Sequence, residues 1–600
     1  MSASAGEGIA LETPVQILRN PIRIISPGSH ETVQICVDNI VRVGKDIAVY
    51  AWSSAPVDWM LRVDGEPAVH SRANFAVAPS GDNSSEQFGV ALLVHSESDE
   101  LEFGIRNHPE AFTVGSIPDI DGDVDAKRAS EELISLLGQI PPFTDVWSAL
   151  VPLISGFAPS GEKARGHLEF AAAVPRGSQA VVVGWWTQTE DLPAVWLEVP
   201  GGPPVDVLTS FRRPRDDVQE AFRSSYPKTS ARPGFVAVVN GAAAGDTVTL
   251  RAQTSDGIVD LMSMEIAVLP ELPKDLAAMA FGFAPEMMRF GEYSKKVLVP
   301  LVTDSLGVSQ QQWYLAPTYT RDFGTLPESP RVSIIVPLYG RIDFVEHQLL
   351  EFSRDQWIRE NAEIIYVLDD PSLQERLLAE CSTHHKLYGM PFRIVWSPLN
   401  RGFSGANNFG ARHARGQELL FLNSDAFPRE PGWLERMSET LGAEEKTGIV
   451  GARLLFAGGG LQHAGMQSLW KDDLQVWINH HPYSGLDPKL DPSGEEPAVV
   501  PAVTGACLLI ARELFDQIEE WDTGYLVGDF EDSDLCYKVR DAGYDVVYEP
   551  RAVLTHLERQ SFGLLGGGDF RFRVTLLNAF RHQGRWLHIL EGGDHGHSAA

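Results

Sequence analysis

The sequence predicts a multidomain protein with an α/β domain on its C-terminal side, preceded by two all-β, sandwich-like modules. Its 600 residues are too many for one hydrophobic core. Up to residue 270, short β-branched and aromatic runs are separated by Gly, Pro, Asn and Ser. After Arg331, apolar strands alternate with amphipathic helical stretches, which indicates a mostly parallel sheet covered on both faces.

The two β modules, residues 1–120 and 166–270, contain similar runs in the same order. These runs are 46–52 and 89–94 in the first module and 180–186 and 234–239 in the second. We interpret the pattern as a duplicated module. Four tryptophans could form a sugar-stacking platform, although large aromatics in alternating strands favour core packing: Trp52, Trp59, Trp186 and Trp196.

The remaining segments connect or extend these domains. A helix is predicted over Asp125–Leu137, because its apolar residues are spaced for one helical face and Pro141 and Pro142 follow it. The predicted segments are a helical linker at 121–165, a helical connector at 271–330, the α/β domain at 331–565, and a C-terminal helix with a disordered tail at 566–600.

The charge of the chain excludes one class of partner. A formal net charge of -32 opposes nucleic-acid binding, which requires a concentrated basic surface. No apolar run reaches the roughly 20 residues that span a bilayer, and the first ten residues do not resemble a secretion signal. We therefore expect a cytoplasmic protein. The four cysteines lie far apart in the sequence, and three of them have apolar or helix-like surroundings that suit reduced core thiols: Cys36, Cys381, Cys507 and Cys536.

The first candidate site is Asp369-Asp370, directly after the apolar strand 363–368. Ligands of parallel sheets bind beyond the carboxyl ends of the strands. The alternative is helix capping, with Ser372 as the cap of a helix that begins near Leu373. Capping by Ser372 does not explain both aspartates, so we favour ligand contact.

The second candidate is the glycine-rich segment 400–410, which includes Arg401 and Asn408. Its glycines permit close approach of the backbone, and its amide donors suit phosphate or sugar oxygens. The Gly-x-Gly-x-x-Gly spacing of dinucleotide sites is absent. A purely structural role for this loop is an equal alternative.

The third candidate is the end of the strand 420–422, where Asn423 and Asp425 follow. A carboxylate there can hold a divalent cation against a diphosphate, whose oxygens complete the shell that Mg²⁺ or Mn²⁺ prefers. A turn closed by Asn423 or Asp425 is the structural alternative.

The fourth candidate is a carboxylate cluster of Glu531, Asp532 and Asp534, followed by His556. Crowding of like charges raises the proton affinity of at least one member, and a carboxylate free of ion pairs can accept a proton from a hydroxyl. Spacing alone does not assign the roles. His556 is a candidate metal ligand or a hydrogen-bonded surface residue.

Taken in order, these segments resemble the family 2 glycosyltransferases of the bacterial surface-polysaccharide type, which have the GT-A fold. The resemblance runs from about Arg331 to Gly563. It rests on Val336-Pro337-Leu338-Tyr339, Asp369-Asp370-Pro371-Ser372, Asn400-Arg401-Gly402-Phe403 through Asn408-Phe409-Gly410, Asn423-Ser424-Asp425, Thr504-Gly505-Ala506-Cys507, Glu531-Asp532-Ser533-Asp534-Leu535, Ala542-Gly543-Tyr544 and His556.

The resemblance implies a role for each matching residue. Asp369 or Asp370 would lie near the base and ribose of a nucleotide sugar, with Arg401 and Asn408 on its phosphate and sugar side. Asp425 would take the Asp-x-Asp role on the metal diphosphate, where Asn423 replaces the first acid, and His556 would be a further metal ligand. Asp532 would be the general base, and Glu531 and Asp534 would orient it or contact the acceptor.

The implied function is inverting transfer of a hexose or deoxyhexose from a nucleotide-diphosphate sugar to a hydroxyl of a glycan or lipid-linked acceptor. The implied cofactor is Mg²⁺ or Mn²⁺, and the implied place is the cytoplasm, at the inner face of the cell membrane. Peripheral membrane contact through the aromatic and basic C-terminal helix is weighed against packing of that helix on its own domain, which we favour.

Two other functions compete with this one. In the first, the β modules bind glycans and the transferase domain is degenerate; the crowded carboxylates argue against that. In the second, the chain is a nucleotidyltransferase, which would release pyrophosphate rather than a nucleoside diphosphate.

Overall fold

The computed structural model describes ten strands between residues 15 and 116 and the segments 126–155, 162–284, 289–557 and 568–592. The chain divides into two units. The first comprises residues up to Ala267 except Val174–Gly177, and the second comprises Val174–Gly177 and Val268 onward. Each unit is described separately below.

The first part of unit 1 consists of two antiparallel sheets. One has the order β1-β3-β4-β8-β7, with β2 beside β3, and the other has the order β10-β9-β5-β6. The strands are β1 Val15–Ile17, β2 Ile22–Ile25, β3 Gln34–Val43, β4 Asp46–Ser53, β5 Trp59–Val63, β6 Glu66–Pro67, β7 His70–Val77, β8 Gln87–His95, β9 Glu100–Ile105 and β10 His108–Ser116.

Two helices follow, α1 Ala126–Gln139 and α2 Asp145–Ile154, the first of which agrees with the predicted helix. Two further sheets have the orders β15-β16-β12-β11-β19 and β14-β13-β17-β18. Their elements are β11 Ala164–Ala173, β12 Gln179–Gln188, β13 Ala194–Glu198, β14 Val205–Asp206, β15 Phe211–Arg213, α3 Asp216–Phe222, β16 Gly234–Asn240, β17 Thr247–Thr254, β18 Gly257–Glu265 and β19 Ala267–Val268.

The two pairs of sheets share a strand order. β4 pairs with β8 as β12 pairs with β16, and β5 pairs with β9 as β13 pairs with β17. Trp186 and Trp196 are buried, and Trp196 packs edge-on against Trp147 of α2, so these two tryptophans are core residues rather than a binding platform. The side chains of Trp52 and Trp59 lie outside the described residues.

Unit 2 begins with connector helices and continues into an eleven-stranded sheet. The helices are α4 Pro273–Phe281, α5 Phe290–Tyr293, α6 Val299–Leu315, α7 Phe344–Arg354, α8 Gln356–Asn361, α9 Gln374–Tyr388, α10 Gly402–Ala411, α11 Trp433–Ala443, α12 Arg512–Gln517, α13 Glu531–Asp541 and α14 Gly568–Gly592. The strands are β20 Tyr319–Phe323, β21 Val332–Leu338, β22 Ala362–Leu368, β23 Phe392–Trp396, β24 Glu418–Leu422, β25 Ala426–Pro428, β26 Thr447–Leu455, β27 Leu461–His463, β28 Gln467–Lys471, β29 Val476–His480, β30 Ala498–Val499, β31 Cys507–Ala511 and β32 Asp545–His556.

The large sheet is mixed rather than mostly parallel. Strands β23, β22, β21 and β24 are parallel neighbours, but β31 runs antiparallel between β24 and β26. After β26 the chain forms a long connection that contains the β28–β29 hairpin, and it returns to the sheet at the same edge. The next strand, β31, therefore runs in the opposite direction to β26. The strand β32 then lies parallel to β26.

Both faces of this sheet are covered. Ile334 and Val336 contribute to one buried cluster and Ile335 to the other, because successive side chains of a strand point to opposite faces. Cys381, Cys507 and Cys536 are buried free thiols. Among the described helices, none is both long and apolar enough to cross a membrane.

Candidate active site

The parallel strands deliver polar residues to one edge of the sheet. β22 ends at Leu368 and β24 at Leu422, on either side of β21. Because these strands point the same way, Asp369 and Asn423 emerge at the same edge.

Asp369 fixes the start of α10. Its carboxylate accepts hydrogen bonds from the backbone N–H of Arg401 at 2.7 Å and of Gly402 at 2.9 Å. The side-chain amide of Asn400 donates to the same carboxylate at 2.8 Å. Burial raises the pKa of Asp369 well above its ordinary value, against the effect of these donors. The carboxylate therefore orders the loop that leads into the helix.

Asp370 caps the short turn that follows it. Its carboxylate accepts from the backbone N–H of Ser372 at 3.1 Å and of Gly340 at 3.3 Å. The capping residue is therefore Asp370 and not Ser372, whose N–H donates to the Asp370 carboxylate. Both aspartates have partners inside the fold, and Asp370 keeps partial exposure at the sheet edge.

The side chains of Arg401 and Asn408 bind main-chain atoms. The Arg401 guanidinium donates to the carbonyl of Trp313 at 3.1 Å and stacks 4.1 Å from the ring centre of Phe409. Asn408 donates to the carbonyl of Trp521 at 2.9 Å and accepts from the Trp521 N–H at 3.0 Å. These bonds position α10 against the turn at Trp521.

Asp425 and His556 form a close pair. The Nε2 atom of His556 lies 3.2 Å from Oδ1 of Asp425 and 3.3 Å from Nδ2 of Asn423. The pairing of β25 with β32 aligns Ala426 with His556 and so brings these side chains together. His556 is the last residue of β32.

The pair has the donor chemistry of a divalent-cation site. Carboxylate oxygen and imidazole nitrogen both suit Mn²⁺, and the carboxylate suits Mg²⁺. Among the residues that the structure describes, no group of three or more His, Cys, Asp or Glu could hold a metal. The residues fit a cation whose other ligands are phosphate oxygens and water.

Asp532 lies in the first turn of α13 and is held by the segment Thr504–Ala506. Its carboxylate accepts from the backbone N–H of Gly505 at 3.1 Å and of Ser533 at 2.8 Å. The adjacent Ala506 carbonyl accepts from the N–H of Asn423 at 2.9 Å. This segment therefore ties Asp532 to the sheet edge that carries Asn423 and Asp425. Burial raises the pKa of Asp532.

The other two carboxylates of the cluster have different surroundings. Asp534 accepts from the Tyr525 hydroxyl at 2.9 Å and the Trp586 indole N–H at 2.7 Å, and it pairs with Arg585 at 3.0 Å. It therefore binds α14 and the preceding loop. Glu531 is buried, its Oε2 has no partner among the described residues, and burial raises its pKa well above the ordinary value.

Sequence reasoning missed Gln462, whose Oε1 lies 2.9 Å from Nδ1 of His556. The two residues are 94 positions apart, and no motif joins them. It also missed Asn578, a buried residue of α14 that binds the loop before α13.

A family model agrees with this geometry. Residues 333–518 match the model described as glycosyl transferase family 2. The match covers the sheet edge with Asp369, Asn423 and Asp425 and ends before Asp532. Unit 2 therefore contains a family 2 glycosyltransferase domain.

Curated relatives match 39% of the chain. The uncharacterized protein y4gI of Sinorhizobium fredii is 32% identical over 244 residues, which cover 39% of this chain and 25% of that protein. The O-antigen biosynthesis protein RfbC of Myxococcus xanthus is 30% identical over 239 residues, which cover 39% of this chain and 18% of that protein. The chain thus spans a quarter or less of these two relatives.

Solved structures also align with the chain. GalNAc-T7 with UDP, GalNAc and Mn²⁺ aligns at a TM-score of 0.32 and 18% identity, over 39% of this chain and 45% of that chain. The mannosyltransferase PcManGT from Pyrobaculum calidifontis, in complex with GDP-Man and Mn²⁺, aligns at a TM-score of 0.28 and 17% identity, over 53% of this chain and 88% of that chain.

Proposed function

We propose that this protein is an inverting glycosyltransferase. It would move a hexose or deoxyhexose from a nucleotide-diphosphate sugar to a hydroxyl of a glycan or lipid-linked acceptor, in surface-polysaccharide biosynthesis at the inner face of the cell membrane. The observation that carries the proposal is the link between Asp532 and the strand end with Asn423 and Asp425, through Gly505 and Ala506.

Asp532 is suited to the role of general base. Its described partners are N–H and hydroxyl groups rather than a Lys or Arg. A carboxylate without a cationic partner, with a pKa raised by burial, is a better proton acceptor than an ordinary aspartate. We propose that Asp532 takes the proton of the acceptor hydroxyl as its oxygen attacks the anomeric carbon, which inverts the configuration there.

Asp425 and His556 would hold the cation. A bound Mg²⁺ or Mn²⁺ would neutralise charge on the leaving diphosphate. Asn423 donates toward Nε2 of His556 and helps to orient the ring. The carboxylate and the ring nitrogen converge on one place at the sheet edge, where the diphosphate would lie.

Asp369 and Asp370 would shape the nucleotide end of the site. Asp369 orders the loop 400–402, which can then face the base and ribose. Asp370 is partly exposed and caps the turn that follows it, so it is the better candidate for direct contact with the nucleotide. Arg401 and Asn408 would affect donor binding indirectly, because they position α10. Glu531 would lie on the acceptor side of the site.

The test is a donor screen. The purified chain is incubated with Mn²⁺ and a panel of UDP-, GDP- and dTDP-sugars, and the released nucleotide is identified by chromatography. We expect a nucleoside diphosphate from at least one donor, and more of it with a glycan or lipid-linked acceptor present. Release of pyrophosphate would indicate a nucleotidyltransferase instead, and no release from any donor would reject the proposed function.

A further inference from the structure

The loop that leads into α13 has an unusual backbone. Val527, Asp529 and Phe530 have φ angles of 67°, 84° and 74°. Residues with side chains rarely adopt this left-handed region, and such strain persists only where the surroundings enforce it. Phe530 is followed directly by Glu531 and Asp532, so this turn sets where the carboxylates begin.

Asn578 of α14 binds the turn through all of its polar side-chain atoms. Its Nδ2 donates to the carbonyls of Gly528 at 2.8 Å and Leu526 at 3.0 Å. Its Oδ1 accepts from the N–H of Leu526 at 3.1 Å. The side chain is 1% exposed, so water does not compete for these bonds. A single amide thus supplies side-chain hydrogen bonds to several main-chain groups of the strained turn.

Other residues of α14 bind the chain on both sides of the turn. Thr575 donates from its hydroxyl to Asp529 at 2.6 Å. Arg581 pairs with Asp522 at 3.2 Å, ahead of the turn, and Arg585 pairs with Asp534 at 3.0 Å, after it. Helix α14 therefore contacts the segment 522–534 before, within and after the strained residues.

We infer that Asn578 is a positioning residue for Asp532. By holding the 527–530 turn in its left-handed conformation, it fixes the first turn of α13 and keeps the Asp532 carboxylate against Gly505. This inference rests on the proposed role of Asp532 as the base. It also extends the active site to α14, which lies outside the residues that match the family model.

The test compares two amides of the same helix. Asn578→Ala removes the bonds to the turn. Gln583→Ala is the matched control, because Gln583 Oε1 accepts from the N–H of Trp477 in the β28–β29 hairpin and not from the turn. Thr575→Val is a milder variant that removes the bond to Asp529 and keeps the shape of the side chain. Amide hydrogen exchange of residues 525–535 and steady-state transfer are measured for all three.

We expect Asn578→Ala to exchange faster at residues 525–535 and to lose about 10- to 100-fold in kcat, with the donor KM within about twofold, because small misplacements of a catalytic group cost that much. Gln583→Ala should keep both properties. Thr575→Val should show the same changes to a smaller extent, and it decides the matter if Asn578→Ala does not fold.

Two outcomes would overturn the inference: unchanged exchange at the turn in Asn578→Ala and Thr575→Val, or an equal loss of kcat in Asn578→Ala and Gln583→Ala. Failure of the proposed function appears separately, as wild-type protein that transfers no sugar. The exchange measurement still decides whether Asn578 holds the turn in that case.

Discussion

Gln462 Oε1 lies 2.9 Å from Nδ1 of His556. An amide oxygen only accepts hydrogen bonds, so Nδ1 is the donor in this contact, and Nε2 is the ring atom that faces Asp425 and would bind a cation. A partner that fixes the tautomer of a metal-binding histidine contributes to metal affinity.

We therefore predict that Gln462→Leu weakens Mn²⁺ binding about 10- to 100-fold. Calorimetry with Mn²⁺ and a nucleoside diphosphate measures the effect. Gln467→Leu, on an exposed position of β28, is the control and should bind Mn²⁺ normally. Nitrogen chemical shifts of His556 in metal-free protein report the tautomer independently. An unchanged affinity would remove Gln462 from this role.

Asp425→Ala should abolish the dependence of donor binding on the cation. The variant loses the only carboxylate that the structure places beside Nε2 of His556 among the described residues. Donor affinity is measured with Mn²⁺ and with a chelator. Glu430→Ala, an exposed acid a few residues further along the chain, should behave as wild type. Full transfer by wild type in chelator would reject the metal assignment.

Asp532→Asn should lower kcat by about 100- to 10,000-fold, because the amide keeps the shape of the side chain but cannot accept the proton. Donor binding should change little, since Asp369 and Asp425 lie on other elements. Asp541→Asn, at the exposed end of α13, is the matched control. Turnover near the wild-type level in Asp532→Asn would assign the base elsewhere.

The pH profile should show the raised pKa of Asp532. A base works only when deprotonated, so kcat should fall as pH drops through that pKa, above the value of about 4 for an ordinary aspartate. The negative charge of Asp529 contributes to the rise. Asp529→Asn should therefore move the acidic limb of kcat to lower pH. If the acidic limb of kcat stays at the same pH in Asp529→Asn, a group other than Asp532 controls it.

Gly410→Ala should destabilise the fold by about 1–3 kcal/mol. A Cβ atom at Gly410 would lie 2.5 Å from Ile335 and 2.7 Å from Val367, because α10 packs closely on β21 and β22. Gly442→Ala on α11 is the control: its Cβ meets nothing within 4 Å, and the substitution should stabilise by up to about 1 kcal/mol. Urea denaturation measures both. Equal stabilities would contradict the close packing.

The sequence predicted most of the elements that build the site, because apolar periodicity reports burial. It gave β22 and β24 within two residues and placed Asp369, Asn423 and Asp425 at strand ends. It did not predict that β31 is antiparallel, since a run of apolar residues carries no information on strand direction.

The partners of the site residues were beyond sequence reasoning. The sequence favoured ligand contact over capping for Asp369 and Asp370, and only the fold shows which N–H groups they meet. Gly410 reads as a loop glycine for ligand approach, yet it serves the contact between α10 and the sheet. Such contacts depend on tertiary packing of residues far apart in the chain.

The distance along the chain between the turn and its amide has a consequence for biosynthesis. Leu526 leaves the ribosome 52 residues ahead of Asn578. Until α14 emerges, the turn lacks the donors that hold it left-handed, while the strand ends with Asp369 and Asp425 have already been made. The nascent chain would thus complete the strand ends that carry Asp369 and Asp425 before the turn ahead of Asp532 gains its hydrogen bonds from Asn578.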